Sequence, residues 1–196
     1  EQHELSDEAW LLEVLEARSA QFPPLSLLQS WAYLTARTRE DRNYYQLGKA
    51  LRENETIIPL DNQRDFYQVA LNHCFYRLNE ADTEFLPETD RLLLEALEKG
   101  VLLQKDRMPP EHFKNLVQVR LRMGEIKWTR TFVEEWKDHL TNDHRGAAVQ
   151  YAQGLLAYFA KDWDRSFACL EEVLRDFKSD VYYGFDARIY QVKILY

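Results

Sequence analysis

The chain has 196 residues, of which 45% are hydrophobic and 30% are charged, and it contains only 6 Gly and 6 Pro. With 25 Lys and Arg against 33 Asp and Glu, the net charge of −8 disfavours broad binding to a phosphate backbone, which needs a concentrated positive field. The scarcity of turn formers disfavours a turn-rich β architecture and predicts an all-α fold. No apolar run approaches the roughly 20 residues of a membrane span, and no secretory leader is visible.

Helix signals begin near the start of the chain. Ser6 is a predicted N-cap, and Trp10, Leu11, Val14 and Leu15 form the apolar stripe of a helix that reaches about Ala20. Phe22-Pro23-Pro24 ends this first helix, and a second apolar stripe follows from Leu27 to Leu34. These breaks predict separate helices joined by short connections.

The middle of the chain carries three further helix signals. Asp41 begins a helix that contains Gly48, and because Gly costs helix stability we expect Gly48 to pack closely against a neighbour. A helix from about Asp61 to Asn79 is apolar on two sides, so we expect it to lie between two neighbouring helices. Another helix is predicted from Pro87 to Gly100.

The second half of the chain contains an internal repeat. The segments 113–140 and 147–177 each read as two amphipathic helices joined by a very short turn. Aligning Gly124 with Lys161 gives an offset of 161 − 124 = 37 residues, and aligning Trp128 with Trp163 gives 163 − 128 = 35. We therefore predict stacked antiparallel helix hairpins in one continuous domain, irregular over residues 1–108 and clearer over 109–196. The last helix, from Ala187 to Tyr196, is expected to lack its mate.

Particular residues of the repeat resemble a known family. Residues 147–177 are similar to a tetratricopeptide repeat through Gly154, Lys161-Asp162-Trp163, Ser166 and Leu170. Residues 65–196 also resemble a group of uncharacterised bacterial tetratricopeptide-like proteins through the segments 113–117, 122–125, 132–136 and 185–188. The resemblance implies a right-handed α-solenoid that binds a partner protein, and it supplies no catalytic residues.

A polar stripe on a first helix is the candidate binding site. Lys114, Gln118 and Arg122 recur every four residues, and the 37-residue offset places Tyr151 at the position of Lys114 in the next repeat. First helices line the concave groove of the arrays that this chain resembles, so these four residues could contact a peptide. The alternative is a solvated helix face beside buried core aromatics.

Residues with catalytic or metal-binding chemistry are sparse. No phosphate-binding glycine loop, HExxH or paired CxxC motif occurs, so we expect no catalytic residues and no cofactor. His139, Asp143 and His144 form the one compact group with metal-ligand chemistry, and we interpret them as exposed loop residues. The acidic segment 79–84 lacks the spacing of a calcium loop and is interpreted as a solvated turn.

Two further groups are assigned to the core. Cys74 and Cys169 lie far apart in apolar helical patterns, where a free cysteine behaves as a small hydrophobe. Tyr182, Tyr183 and Phe185 could form an exposed recognition patch, but we favour burial between helix layers.

The resulting hypothesis is a noncatalytic protein-protein interaction scaffold. One alternative is an all-α enzyme with a cleft around His139 and His144, and another is a helical-repeat nucleic-acid-binding protein that uses the cluster Arg120, Arg122, Lys127 and Arg130. The chain begins at Glu1 and stops within an apolar pattern, so we expect a piece of a longer protein. We expect a cytoplasmic location, which an export signal in the remainder of that protein would change.

Overall fold

The computed structural model describes residues 6–140, 145–176 and 181–196, and these residues form ten α-helices and no β-strand. The helices are α1 (Asp7–Arg18), α2 (Pro24–Thr38), α3 (Asp41–Asn54), α4 (Leu60–Asn79), α5 (Phe85–Glu98), α6 (Pro110–Arg122), α7 (Ile126–Trp136), α8 (Arg145–Phe159), α9 (Trp163–Asp176) and α10 (Val181–Leu195). This confirms the all-α prediction. Among the described residues, no helix combines the length and apolar character needed to cross a membrane.

The chain divides into two compact units, Glu1–Leu92 and Leu93–Tyr196. The division falls inside α5, whereas the sequence pattern suggested a change of character at Pro109. We call these parts unit 1 and unit 2.

Unit 1 is built on contacts among its first four helices. The Ser6 side chain accepts a hydrogen bond from the Ala9 backbone N–H at 3.3 Å, so the predicted N-cap of α1 is confirmed. Helix α2 packs against α1, α3 and α4, and α4 contacts both α2 and α3. The prediction that α4 lies between two neighbours is therefore confirmed, with Phe66 and Leu71 among its buried side chains.

Unit 2 repeats one pattern of helix contacts. Helix α6 packs against α7 and α8, and α8 in turn packs against α9 and α10. Helix α7 also contacts α8, just as α9 also contacts α10. Helices α7 and α9 therefore each pack against the two even-numbered helices on either side of them in the chain.

The two hairpins of unit 2 turn in the same way at positions 37 residues apart. Gly124 has a φ of +84° and Lys161 has a φ of +61°, so both residues lie in the left-handed region. In each turn the next residue donates back to the end of the preceding helix, as Glu125 N–H to Arg120 O and Asp162 N–H to Ala157 O, both at 2.9 Å. This is the glycine-type helix ending in which two backbone N–H groups satisfy free carbonyls. The structure therefore selects the 37-residue offset over the 35-residue one for these turns.

Close packing at glycine occurs in α8 rather than in α3. A Cβ on Gly154 would lie 2.9 Å from Leu170 Cδ2 on α9, so a side chain there would displace a buried residue. A Cβ on Gly48 would lie 3.4 Å from the end of the Arg52 side chain, with no other atom as near. The expectation of close packing at Gly48 was wrong, because that glycine faces the flexible guanidinium of its own helix.

Candidate functional site

The predicted binding residues lie in unit 2, and three of them join one hydrogen-bond network. Gln118 on α6 donates to the Tyr151 hydroxyl oxygen on α8 at 2.6 Å and to Asp186 Oδ2 on α10 at 3.1 Å. The Lys114 ammonium lies 3.1 Å from the same Asp186 oxygen. Arg122, at the end of α6, is exposed to solvent. Lys114, Gln118 and Tyr151 thus connect three successive even-numbered helices, and Arg122 is left at the surface.

The Tyr151 ring is fully buried within unit 2. It meets the Tyr183 ring edge to face, with 5.2 Å between the ring centroids, and the Tyr183 hydroxyl donates to Pro110 O at 2.8 Å. Burial, with a further contribution from nearby Asp186, raises the pKa of Tyr151 well above its ordinary value. Tyr151 therefore stays protonated at neutral pH and acts in packing α6, α8 and α10 together.

An aromatic cluster extends from this network to the surface. The Tyr158 ring lies edge-on to Trp163 at 5.3 Å and to Tyr190 at 5.0 Å between centroids. Tyr158 and Tyr190 are half-buried, while 45% of Trp163 is exposed. We call Arg122, Tyr158, Trp163 and Tyr190 the aromatic surface.

Charged side chains of both signs lie near Tyr190 in the aromatic surface. Burial and nearby Asp186 raise the pKa of Tyr190 to about 12, and the Arg122 guanidinium is close enough to oppose that rise. Lys193 adds a second cation, with Nζ 4.8 Å from the Tyr190 ring centroid. Half-buried aromatic rings beside cations can take up both apolar and anionic groups of a ligand.

Sequence reasoning proposed Arg122 as a binding residue but not the three aromatic members of this surface. On α10, Tyr190 lies with Asp186 and Lys193 at a spacing of i, i+4 and i+7, which places the three residues on one helix face. This spacing is visible in the sequence, but it does not single out one helix face because α10 has apolar residues on several sides. Of the aromatic patch considered at residues 182–185, Tyr183 is buried as favoured, whereas 71% of Phe185 is exposed, so the assignment of Phe185 to the core was wrong. The Tyr182 side chain lies outside the described part of the chain.

Unit 1 has a cavity of about 220 Å³ lined by α2 and α4. Its wall includes Thr35, Arg39, His73 and Tyr76, and the Arg39 guanidinium carbon lies 4.5 Å from the Tyr76 ring centroid. His73 Nε2 is 2.9 Å from Asp41 Oδ1, and burial lowers the pKa of this histidine despite the carboxylate. A neutral histidine therefore donates to Asp41 at neutral pH, in a position that fits a structural role.

The remaining reactive side chains of unit 1 are held in the core. Tyr44 donates to Glu88 Oε1 at 2.5 Å and stacks on His73, with 5.0 Å between ring centroids. Cys74 is buried, and this burial raises the pKa of its thiol to about 11. The thiol is therefore protonated at neutral pH, where a nucleophile would need the thiolate. Cys169 in unit 2 is also buried, as the sequence analysis expected of both cysteines.

The group of His139, Asp143 and His144, interpreted above as exposed loop residues, is only partly described. Asp143 and His144 lie outside the described residues, and His139 is exposed, with its ring edge-on to Trp136 at 5.5 Å. Over residues 6–140, 145–176 and 181–196, no three His, Cys, Asp or Glu residues come together as metal ligands. In the acidic segment 79–84, Asp82 pairs with Arg77 at 2.6 Å, in keeping with its interpretation as a turn.

Several arginines pair with nearby carboxylates. Arg37 pairs with Glu8 at 3.0 Å, and Arg42 pairs with Glu16. Arg120 pairs with Glu125 at 3.5 Å and lies over the Trp128 ring at 4.6 Å. The Glu125 carboxylate therefore offsets the charge of Arg120, one member of the cluster considered for nucleic-acid binding.

Comparison with known proteins found no match to this chain among protein-family models, characterised proteins or solved structures.

Proposed function

We propose that this chain is a noncatalytic scaffold that binds another protein, and that unit 2 is a tetratricopeptide-like stack of antiparallel hairpins. The repeated contact pattern of α6 to α10 and the two equivalent turns support the stack. In a right-handed solenoid of this type the even-numbered helices would line one continuous face. Arg122, Tyr158 and Tyr190 of the aromatic surface lie on these even-numbered helices, and Trp163 begins the adjoining α9.

The observation that carries the proposal is the exposed edge of the aromatic surface. Trp163 is 45% exposed beside half-buried Tyr158 and Tyr190, and Arg122 lies close to Tyr190. Trp, Tyr and Arg are the side chains that contribute most to protein interfaces, since they combine a large apolar area with a polar group. We therefore assign partner binding to this surface. Of the four residues predicted from the sequence, Arg122 is kept as a binding residue, and buried Tyr151 supports the helices that carry the surface.

Affinity capture with the intact chain tests the proposal. Partners retained by the wild type should be lost when Arg122→Glu and Trp163→Ala are combined, because the substitutions remove a cation and an exposed ring at the chain's surface. Lys49→Glu is the matched control, since Lys49 is an exposed cation in unit 1. A partner set unchanged by the double substitution would contradict the assignment. Binding to nucleic acid that falls steeply with added salt would instead favour the nucleic-acid alternative.

A further inference from the structure

The cavity of about 220 Å³ in unit 1 is lined by residues that range from exposed to buried. Thr35 and His73, its buried members, form the floor, and Val69 and Tyr76 are half-buried. The Thr35 hydroxyl donates to the helix backbone, and burial lowers the pKa of His73, so the floor is uncharged at neutral pH. This volume lies below the roughly 300–1,000 Å³ of pockets for drug-sized ligands, so it suits a smaller molecule.

The rim of the cavity carries a positive charge. Ala36, Arg39 and Asn72 are its exposed lining residues. The cation–π contact of Arg39 with Tyr76, at 4.5 Å, keeps the guanidinium beside the cavity. Asn72 Oδ1 accepts from Gln68 Nε2 at 2.8 Å, so the Nδ2 amide is the group that Asn72 can offer to a ligand. The rim therefore presents N–H donors above an uncharged floor.

The backbone of Arg39 has a conformation in which glycine is favoured. Its φ is +58° and its ψ is +26°, at the residue that follows α2. A residue with a Cβ loses stability there, and strained residues of this kind are concentrated at ligand sites, where the side chain is needed. Glycine at this position would relieve the strain but would also remove the guanidinium from the rim.

We propose that this cavity binds a small organic monocarboxylate with an apolar body. The Arg39 guanidinium would bind the carboxylate at the rim through parallel N–H bonds, which its planar fork favours. The apolar body would lie between Ala36 of α2 and Val69 of α4, towards the floor. One guanidinium matches one negative charge, whereas a phosphate dianion would bring more charge than the rim offsets.

The surroundings of the cavity reduce the negative charge that such a ligand would meet. Asp41, the acceptor for His73, also lies 3.4 Å from the Arg77 guanidinium, which offsets its charge. The carbonyl end of α2 carries partial negative charge, but the Arg39 backbone N–H donates to Thr35 O at 3.2 Å and satisfies one of these carbonyls. Arg39 is the charged member of the cavity lining at neutral pH.

NMR titration of the intact chain with benzoate tests the proposal. Binding should shift the backbone amides of the last turn of α2 and of residues 69–76 in α4, with a dissociation constant on the order of 1 mM for a ligand of this size. Benzamide, which has the same shape and no charge, and inorganic phosphate should each bind roughly ten-fold more weakly. Absence of these shifts up to about 20 mM benzoate, well above that constant, overturns the proposal. Equal or tighter binding of benzamide or phosphate does so too.

Arg39→Gly separates ligand recognition from folding. It should weaken benzoate binding roughly ten-fold or more, because the guanidinium is lost. The thermal midpoint should stay equal or rise, since a φ of +58° suits glycine. Lys161→Gly is the matched control, because Lys161 in unit 2 is also an exposed cation at a helix end, with a φ of +61°, and benzoate binding should not change. Wild-type affinity for benzoate in Arg39→Gly would refute the assignment.

Ala36→Phe tests whether the ligand enters the cavity. Ala36 is exposed on α2, so a larger side chain can be accommodated there while Arg39 stays in place. The added ring would occupy the space between α2 and α4, and benzoate binding should fall roughly ten-fold. Unchanged binding would show that the carboxylate is attracted to Arg39 at the open surface, and the cavity would then not be the site.

Discussion

The two hairpins of unit 2 share one turn but bring their helices together in different ways. In the first hairpin, α6 and α7, the Phe132 ring stacks on Phe113 at 5.5 Å and on Trp128 at 4.9 Å between centroids. In the second, α8 and α9, the position equivalent to Phe132 is Cys169, and Gly154 allows Leu170 to approach the backbone. The backbone of the turn is thus set by local hydrogen bonds, while the size of the side chains decides how the helices meet.

The hydroxyl groups at equivalent positions show the same difference. Ser166 donates to Gly154 O across the second hairpin at 2.9 Å. Thr129, which lies 37 residues earlier, donates to Glu125 O within its own helical turn at 2.8 Å. A hydroxyl can reach the facing backbone only where the helix opposite carries no side chain at the crossing point.

Removal of the aromatic ring of the first hairpin should have the largest effect. Phe132→Ala is expected to cost about 3–5 kcal/mol of stability, since it removes a buried ring stacked on two others. Cys169→Ala, at the equivalent position, should cost at most about 1.5 kcal/mol because far less volume is lost. Urea unfolding with hydrogen exchange resolved by helix measures both losses, and equal losses would contradict the comparison.

A side chain at the crossing point of the second hairpin should be the next most damaging change. Gly154→Val is expected to cost about 1–3 kcal/mol, because its Cβ would lie 2.9 Å from Leu170 Cδ2 in a closely packed interior. Hydrogen exchange should accelerate in α8 and α9.

Gly48→Ala is the control for helix propensity. Only the end of Arg52 lies near that position, so the substitution should stabilise the protein by up to about 1 kcal/mol. If Gly154→Val were as well tolerated as Gly48→Ala, close approach would not be the reason for the glycine in α8.

The loss of the cross-hairpin hydroxyl should have a smaller effect. Ser166→Ala is expected to cost about 1 kcal/mol, the usual net contribution of one buried hydrogen bond. Its effect on hydrogen exchange should extend to both α8 and α9, whereas the effect of Thr129→Val should stay within α7. Exchange changes confined to α9 in Ser166→Ala would show that the bond does not couple the two helices.

Exchanging the turn residues should change stability in opposite directions. Lys161→Gly should stabilise by about 1 kcal/mol, because a residue with a Cβ is strained at a φ of +61°. Gly124→Ala should destabilise by about the same amount, since its φ is +84° and no contact within 4 Å offsets the strain. Thermal unfolding reports both shifts. Lys161→Ala serves as the control for charge and should change stability little.

Parts of the fold were predictable because their causes are local. The N-cap at Ser6, the helix from Asp41 and the paired turns at Gly124 and Lys161 follow from side-chain and backbone preferences that neighbours in the chain satisfy. The start of α5 was placed two residues late, at Pro87 instead of Phe85, because a proline is tolerated within the first helical turn.

The candidate site was less predictable because it depends on helices that are distant in sequence. The stripe of Lys114, Gln118 and Arg122 was identified by its spacing, but spacing does not show which members meet another helix. Asp186, which is 68 residues from Gln118, binds two of the three. Only the packing of α10 beside α6 separates Arg122, at the surface, from the residues used within the network.

The amino-acid sequence by itself determined the helices of this protein, their short turns and the repeat in its second half, since helical periodicity and turn chemistry act over a few residues. Tertiary structure decided which glycine permits close approach and why Tyr151 is buried. The physical reason is that a residue's spacing places it on a helix face, whereas burial, hydrogen bonding and charge pairing depend on which helix covers that face.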